Sequence, residues 1–355
     1  MRKKIIILAC FTMTSVTLFA QLDAQYTLFP WASLYYNPGT AGDQNNMLCF
    51  TGIFTNKYTE MKENQYFDNQ PQPTQGTANT QDPDRFIGVR DILVNAEFYS
   101  RKIRGAVGLS FLSDHIDVWN IIAIRLGYTY RMKIAGGGLG IGFQANLCNQ
   151  VEDEAEWRYR DPGDPDIPGT QGNAAPSYMN LNFSFGLHYR ATTWDVGISA
   201  VNLLGNSAVT LSGDIKLIES VRQFYAHGGY IWTLPWDPNW TIEPKVLVKT
   251  NLVEYQIDAM ILARYNGIIW GGLSYRIDDA VSVLFGARPF YNSTNNYLKG
   301  LDVGVAYSFT TTKFGYTRRG SFGDIEVILR YCFDIYKTET FFGYGSSRGI
   351  YKNQY

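Results

Sequence analysis

The feature that most constrains this chain is a strict alternation of apolar and polar residues, repeated many times between turn-forming segments. In the segment 122–131, every second residue from Ile122 to Tyr130 is apolar or aromatic, and the residues between them are small or polar. The same period of two recurs in segments 139–148, 179–190 and 324–334. Because side chains on a β-strand point alternately to its two faces, each segment separates an apolar surface from a polar one. The pattern predicts an all-β protein.

Two all-β architectures produce such alternation, a soluble β-sandwich and a transmembrane β-barrel. Alternating segments of ten or more residues favour the barrel, as do aromatic residues near the segment ends, because membrane barrels carry aromatic girdles at both interfaces. The composition agrees, with Gly 34, Tyr 25, Phe 21 and Trp 8 among 355 residues and only 18% charged residues. We therefore predict a transmembrane antiparallel β-barrel.

The candidate strands number about fourteen, and an even number is typical of bacterial barrels. Long connections follow odd-numbered candidate strands, at 57–90, 151–176, 202–223 and 310–322. Short connections follow even-numbered ones, at 101–104, 133–137, 190–192 and 265–267, with one exception, the longer segment 290–297. This predicts a barrel over 47–333 with long extracellular loops and with both termini in the periplasm.

The chain begins with a signal-peptide pattern: Lys3 and Lys4, an apolar run over 5–19, and the small residue Ala20. Residues 1–20 are therefore expected to be a cleaved signal peptide. Cleavage before Cys10, as in a lipoprotein, would leave too short an apolar core for export. The rest of the chain lacks an apolar run of roughly eighteen residues, the length that a spanning helix needs. Export and the barrel pattern predict an outer-membrane location.

Several kinds of chemistry are not expected. A net charge of -1 offers no basic face for nucleic acid. The mature cysteines Cys49, Cys148 and Cys332 lack a C-x-x-C spacing, so we predict no metal site and no cofactor. Ser184 and His188 share one strand face, but four residues along a strand separate them by roughly 13 Å, too far for a nucleophile and base. The sequence therefore predicts no enzymatic activity.

Two cysteines occupy positions on the first and last candidate strands. If these strands close the barrel, Cys49 and Cys332 both face inward near the periplasmic rim. A disulfide across the seam then requires a register that places the two residues opposite each other, with tight Cβ spacing.

The first mature residues include Gln25 and Tyr26, and a turn-forming Asn37-Pro38-Gly39-Thr40-Ala41-Gly42 follows before the first strand. The last strand reads Ile-Glu-Val-Ile-Leu-Arg-Tyr-Cys-Phe over 325–333. Together with the exported start, these segments resemble the PorP/SprF family of type IX secretion proteins. Three features depart from the family pattern: Gly39-Thr40 replaces an alanine and an aromatic residue, Ile325 replaces a histidine, and the chain continues to residue 355.

The resemblance implies a non-enzymatic outer-membrane component of type IX secretion, associated with gliding motility and surface attachment. Implied partners are secreted proteins with type IX C-terminal sorting domains, periplasmic lipoprotein or peptidoglycan-binding components, and outer-membrane lipid. It assigns partner binding to six positions of the N-terminal motif: Gln25, Tyr26, Asn37, Pro38, Ala41 and Gly42. Segments 21–46 and 334–355 are expected to be a periplasmic N-terminal segment and a periplasmic C-terminal tail.

Two other functions stay open at this point. The first is a porin-like channel for small solutes, and the second is a lipid-modifying barrel enzyme. Charges of both signs are predicted to face the lumen: Arg125, Arg131, Glu243, Lys245, Lys249, Asp258 and Arg264. Mixed charges suit a plugged scaffold with neutralised pairs as well as a selective channel, so they do not distinguish the two.

Overall fold

A computed structural model shows the chain as a closed antiparallel β-barrel of fourteen strands. The structure describes residues 24–43, 47–57, 89–116, 119–152, 177–212, 220–293, 299–311 and 323–334. The predicted signal peptide and residues 335–355 of the predicted tail lie outside these ranges, as do most residues of the long predicted loops.

The chain contains sixteen strands, of which β8 and β10 are short additions beside the barrel wall. In chain order they are β1 (Met47–Asn56), β2 (Arg90–Ser100), β3 (Gly105–Ile116), β4 (Trp119–Ile134), β5 (Gly137–Glu152), β6 (Ser177–Arg190), β7 (Trp194–Val201), β8 (Val209–Ser212), β9 (Gln223–Tyr230), β10 (Trp232–Thr233), β11 (Trp240–Thr250), β12 (Tyr255–Tyr265), β13 (Ile269–Arg276), β14 (Ala280–Ala287), β15 (Leu301–Thr310) and β16 (Asp324–Asp334).

The wall closes where β1 pairs with β16, from Met47 opposite Asp334 to Asn56 opposite Ile325. Each neighbouring pair of wall strands is antiparallel, and β9 pairs directly with β11. Each wall strand that the structure describes is therefore paired on both sides, as a strand in lipid requires. We call the end where β1 begins and β16 ends the terminal rim, and the opposite end the loop rim. The predicted fourteen-strand barrel is confirmed.

Burial in the wall is the reverse of burial in a soluble sandwich. On β4, Leu126 is 57% exposed on the outer face, whereas Arg125 and Thr129 are buried on the inner face. The apolar outside of such a wall faces lipid and the polar inside faces the lumen. This arrangement excludes the sandwich. Among the described residues, no helix is long and apolar enough to cross a membrane.

A disulfide lies across the seam. Cys49 of β1 and Cys332 of β16 are register partners with a Cα–Cα distance of 4.1 Å, and their sulfur atoms are bonded. Both side chains are buried on the inner face. The register needed for the predicted pairing is therefore present.

The N-terminal segment occupies the lumen, and we call residues 24–43 the lumenal segment. It contains a one-turn helix, α1 (Ser33–Tyr36), and a 3-10 turn over Pro38–Thr40. Tyr26 and Leu28 have no exposed surface. We expected a separate periplasmic segment over 21–46, but its described part packs inside the barrel. The physical reason is that a fourteen-strand wall encloses more space than its own side chains fill.

Candidate functional site: the lumenal segment

The lumenal segment runs along the barrel interior from one rim toward the other. Near the terminal rim, the amide of Gly42 donates a hydrogen bond to the carboxylate of Glu97 (2.9 Å). Near the loop rim, the amides of Thr27 and Leu28 donate to the two carboxylate oxygens of Glu326 (2.5 and 2.9 Å). These contacts hold both ends of the segment to the wall.

The Asn37-Pro38-Gly39 sequence forms the predicted turn. The Asn37 side-chain oxygen accepts a hydrogen bond from the Gly39 amide (2.8 Å), which caps the 3-10 turn. Its side-chain nitrogen donates to the backbone carbonyl of Leu187 on β6 (2.9 Å). The same side chain therefore shapes the turn and attaches it to the wall.

A notch of glycines on β5 and β6 receives this turn. A Cβ atom at Gly142 would overlap backbone atoms of Pro38, and one at Gly186 would overlap the Asn37 side chain. Gly142 and Gly186 are register partners, so the two gaps adjoin across the strands. Only glycine lets the turn approach the wall backbone this closely.

Two arginines of β4 bind the backbone of the lumenal segment. The Arg131 guanidinium donates to the carbonyls of Ala41 (2.7 Å) and Thr40 (2.8 Å), and its Nη1 lies 3.3 Å from Asp43 Oδ1. Arg125 donates to the Tyr35 carbonyl (2.9 Å). Because Arg presents several donors in a fixed plane, one buried side chain binds several carbonyls of the lumenal segment at once.

Aromatic packing fills the space between these anchors. Trp31 stacks on Trp270 of β13 with ring centroids 4.7 Å apart, and both indole nitrogens donate to Asp302 of β15 (3.4 and 2.9 Å). Tyr35 and Tyr36 lie edge to face at 5.3 Å. Buried aromatic side chains contribute large contact areas and directional ring packing. The interior is a hydrophobic core as well as a polar lining.

The inward-facing charges form pairs across neighbouring strands. Arg264 Nε lies 2.6 Å from Glu243, and Asp258 lies 2.9 Å from Arg276 Nε and 3.5 Å from Lys249 Nζ. The predicted neutralised ladder of lumenal charges is present.

The family comparison decides what kind of barrel this is. The family model described as "Type IX secretion system membrane protein PorP/SprF" matches residues 18–331, most of the chain. The chain belongs to this family. Its fold and its family are those of outer-membrane proteins.

Solved outer-membrane barrels resemble this PorP/SprF protein only in fold. The CymD monoaromatic hydrocarbon channel has a TM-score of 0.49 at 10% identity, with 89% of this chain and 95% of that one covered. The Pseudomonas putida toluene transporter TodX has a TM-score of 0.45 at 12% identity, covering 86% and 93%. Omp33 of Acinetobacter baumannii has a TM-score of 0.39 at 8% identity, covering 82% and 100%. No curated protein matches the chain in sequence.

The six positions that the PorP/SprF resemblance assigns to partner binding all lie in the lumenal segment. Five of them are buried inside the barrel: Tyr26, Asn37, Pro38, Ala41 and Gly42. The sixth, Gln25, is partly buried near the loop rim, where its side-chain oxygen accepts a hydrogen bond from the Gln256 side chain (3.3 Å). Their visible contacts hold the segment in place, and partner binding by these residues stays a prediction.

The sequence reasoning did not identify the wall residues that receive the segment. The sequence predicts that Arg131 faces inward but does not indicate its partner, and it identifies Glu326 only as part of the closing strand. One usable signal was Gly142 and Gly186, two inward-facing glycines on consecutive alternating strands. Inward glycines on adjacent strands indicate close approach of another backbone.

Proposed function

We propose that this PorP/SprF barrel is a non-enzymatic type IX component. Its loop rim binds the C-terminal sorting domain of a secreted protein. The observation that carries the proposal is the filled lumen. A segment anchored by Arg131 at one end and Glu326 at the other leaves the rims as the surfaces available to a protein partner. The family supplies the type IX context.

The outer wall supports this division of surfaces. Leu126, Phe143 and Ile198 each expose more than half of their side-chain surface on the lipid-facing side. Such a belt anchors the barrel in outer-membrane lipid. The rigid wall then holds the loop rim at the cell surface and the terminal rim in the periplasm, where machinery lipoproteins or peptidoglycan-binding components would contact it.

The channel function is less well supported. One cavity between the lumenal segment and the wall, beside Ser33 and Tyr36, has a volume of about 80 Å³. That space holds a few water molecules rather than a solute. A channel would require displacement of the lumenal segment, so conductance in planar bilayers should be low for this protein and rise when its anchors are removed.

An enzymatic role has little geometric support. Ser184 Oγ accepts a hydrogen bond from the Asn146 side chain (2.6 Å), whereas His188 lies beside Asp195, with Nε2 and Oδ2 3.6 Å apart. No general base therefore contacts this hydroxyl among the bonds that the described residues form. We propose that the protein is not an enzyme.

The decisive experiment is an affinity pull-down of the tagged protein from detergent-solubilised outer membranes, with mass spectrometry of bound proteins. The matched control replaces residues 153–176, a long connection at the loop rim, with a short Gly-Ser turn. We expect secreted proteins with type IX sorting domains to bind the native barrel and to be lost from the control. Recovery of periplasmic components alone would indicate that the partner binds at the terminal rim instead. A barrel without companions, from membranes that contain the machinery, would contradict the proposal.

A further inference from the structure

Two histidines on different strands meet above a glycine in the lumen. His188 of β6 and His227 of β9 are both register partners of Gly197 on β7, so the three residues form one row across the wall. A Cβ atom at Gly197 would overlap the His227 ring. Because Gly197 has no side chain, the two imidazole rings approach to a centroid distance of 5.3 Å.

A carboxylate joins this pair from the same inner face. Asp195 lies two residues from Gly197 along β7, and its Oδ2 is 3.6 Å from His188 Nε2. His188, Asp195 and His227 each offer one ligand atom, and these atoms lie within 4.8 Å of one another. Two imidazole nitrogens and one carboxylate oxygen form a donor set typical of divalent transition metals.

The two ring nitrogens of His188 have different neighbours. The side chain is 2% exposed, and its Nδ1 has no hydrogen-bond partner among the described residues. The nearest carboxylate oxygen to this nitrogen, Asp43 Oδ1, is 3.9 Å away. Nδ1 therefore faces Asp43, and Nε2, which lies 3.6 Å from Asp195 Oδ2, is the nitrogen directed toward the proposed ligand carboxylate. A cavity of about 80 Å³ borders both rings and Asp195, and has room for an ion with a water molecule.

We propose that His188, His227 and Asp195 bind one divalent transition-metal ion, of which Zn²⁺ is the representative, with water from the cavity as the fourth ligand. Zinc lies roughly 2.0–2.2 Å from nitrogen and carboxylate ligands, which places tetrahedral ligand atoms roughly 3.4 Å apart. Small side-chain rotations would bring the three groups from their present separation to that distance.

The neighbouring cations are paired with carboxylates other than the ligand oxygen. Arg190 Nη1 lies 2.7 Å from Asp43 Oδ2, and Lys245 Nζ lies 3.6 Å from Glu243. Arg190 Nη2 is also 3.6 Å from Asp195 Oδ1. The two oxygens of Asp195 therefore have different neighbours: Oδ1 faces Arg190, and Oδ2 faces His188. Arg190 is a positioning residue for the ligand carboxylate, as outer partners of metal ligands often are.

The site joins strands whose ladders are short. The β6–β7 ladder has six residue pairs and the β7–β9 ladder has eight, whereas the β4–β5 ladder has sixteen. An ion shared by β6, β7 and β9 would cross-link this part of the wall beside Asp43, the described end of the lumenal segment. Metal binding of this kind stabilises the folded state that contains the preformed ligands.

The test uses the full-length protein with a histidine-free tag, purified in detergent and dialysed against a chelator. Calorimetric titration with ZnCl₂ should show one equivalent per barrel, and Co²⁺ should give the visible absorption bands of a tetrahedral site. His188→Ala and His227→Gln should each lower Zn²⁺ affinity at least about tenfold and remove the Co²⁺ bands. His115→Ala is the matched control, because His115 is the third histidine of the chain and pairs with Asn120 instead.

Folding of each variant is checked by heat-modifiable migration in gels, and Asp195→Asn replaces any variant that does not fold. Equal Zn²⁺ affinity in the native protein and the folded site variants would overturn the proposal. An equal loss of Zn²⁺ affinity in His115→Ala would overturn the proposal as well, because binding would then not depend on His188, His227 and Asp195 in particular. Cargo binding is measured separately, so failure of this site leaves the proposed function unaffected.

Discussion

The barrel wall has two unequal sides. On the long-ladder side, from β16 through β1 to β6, neighbouring strands share between nine and sixteen residue pairs. On the short-ladder side, from β6 through β7, β9 and β11 to β16, they share between six and eleven. The long side contains the glycine notch, both arginine anchors and the seam disulfide, whereas the short side contains the histidine pair and most of the cross-strand ion pairs.

The difference shows how two parts of one wall can be stabilised differently. Where ladders are long, backbone hydrogen bonds fix the strands, and inward positions are available to hold the lumenal segment. Where ladders are short, side-chain contacts across strands, such as the ion pair of Arg276 with Asp258, supplement the backbone hydrogen bonds. Changes on the long side should therefore release the lumenal segment, and changes on the short side should loosen the wall itself.

The largest effect is expected for Arg131→Ala. The change removes the donor to the buried Ala41 carbonyl and one of the two donors to the Thr40 carbonyl, and Asp43 loses a cation. We expect a loss of about 3–5 kcal/mol in unfolding free energy, as for removal of one partner from a buried charged network. Urea unfolding in lipid vesicles measures it. Arg131→Lys is the control, because it keeps the positive charge but only some of the hydrogen bonds. An unfolding free energy of Arg131→Ala equal to that of the native protein would show that Arg131 does not anchor the lumenal segment.

Loss of the seam disulfide should have the next largest effect. Replacement of Cys49 and Cys332 by serine removes a crosslink between residues 283 positions apart. We expect a loss of about 2–4 kcal/mol in unfolding free energy. Unfolding of the oxidised protein, the reduced protein and the double variant gives the measurement. Identical stability of all three would show that the long β1–β16 ladder closes the wall without the bridge.

Filling the glycine notch should have a smaller effect. The Gly142→Ala side chain would overlap the Pro38 backbone, whereas the same change at Gly52 on β1 meets little beyond the Leu329 carbonyl. We expect Gly142→Ala to cost about 1–3 kcal/mol of stability and to raise conductance in planar bilayers. Gly52→Ala should do neither. If both variants behave alike, the notch does not hold the turn.

The smallest expected effect is a pH dependence at Asp43, which lies in the lumenal segment. Burial raises the pKa of this carboxyl, but Arg190, His188 and Arg131 together hold it below its ordinary value of 3.8. A lowered folded-state pKa stabilises the protein above pH 3.8, and this stabilisation is lost as the pH falls through the folded pKa.

We expect the native protein to lose more unfolding free energy than Asp43→Asn between pH 7 and strongly acidic pH. Unfolding at the two pH values measures the difference. Parallel losses in both proteins would assign the acid sensitivity to other carboxyls.

Local periodicity predicted much of the fold. The predicted connections lie between the observed wall strands to within two residues, because the period of two records which face of each strand meets lipid. The Asn37-Pro38-Gly39 turn was also predictable, since its residues restrict their own backbone. The sequence predicts the Cys49–Cys332 disulfide only on the condition that the first and last strands pair in the required register, because that pairing decides whether the two residues meet.

The sequence by itself determined the barrel, its strand number and the segments that turn. Only the tertiary structure decided that the lumenal segment lies inside the barrel, that Arg131 binds its carbonyls, and that His188 meets His227 above Gly197. We predicted no metal site, because the candidate ligands have no motif spacing along the chain. The physical reason is that alternation fixes the face of each residue, whereas lumenal contacts depend on barrel width and on the register between strands distant in sequence.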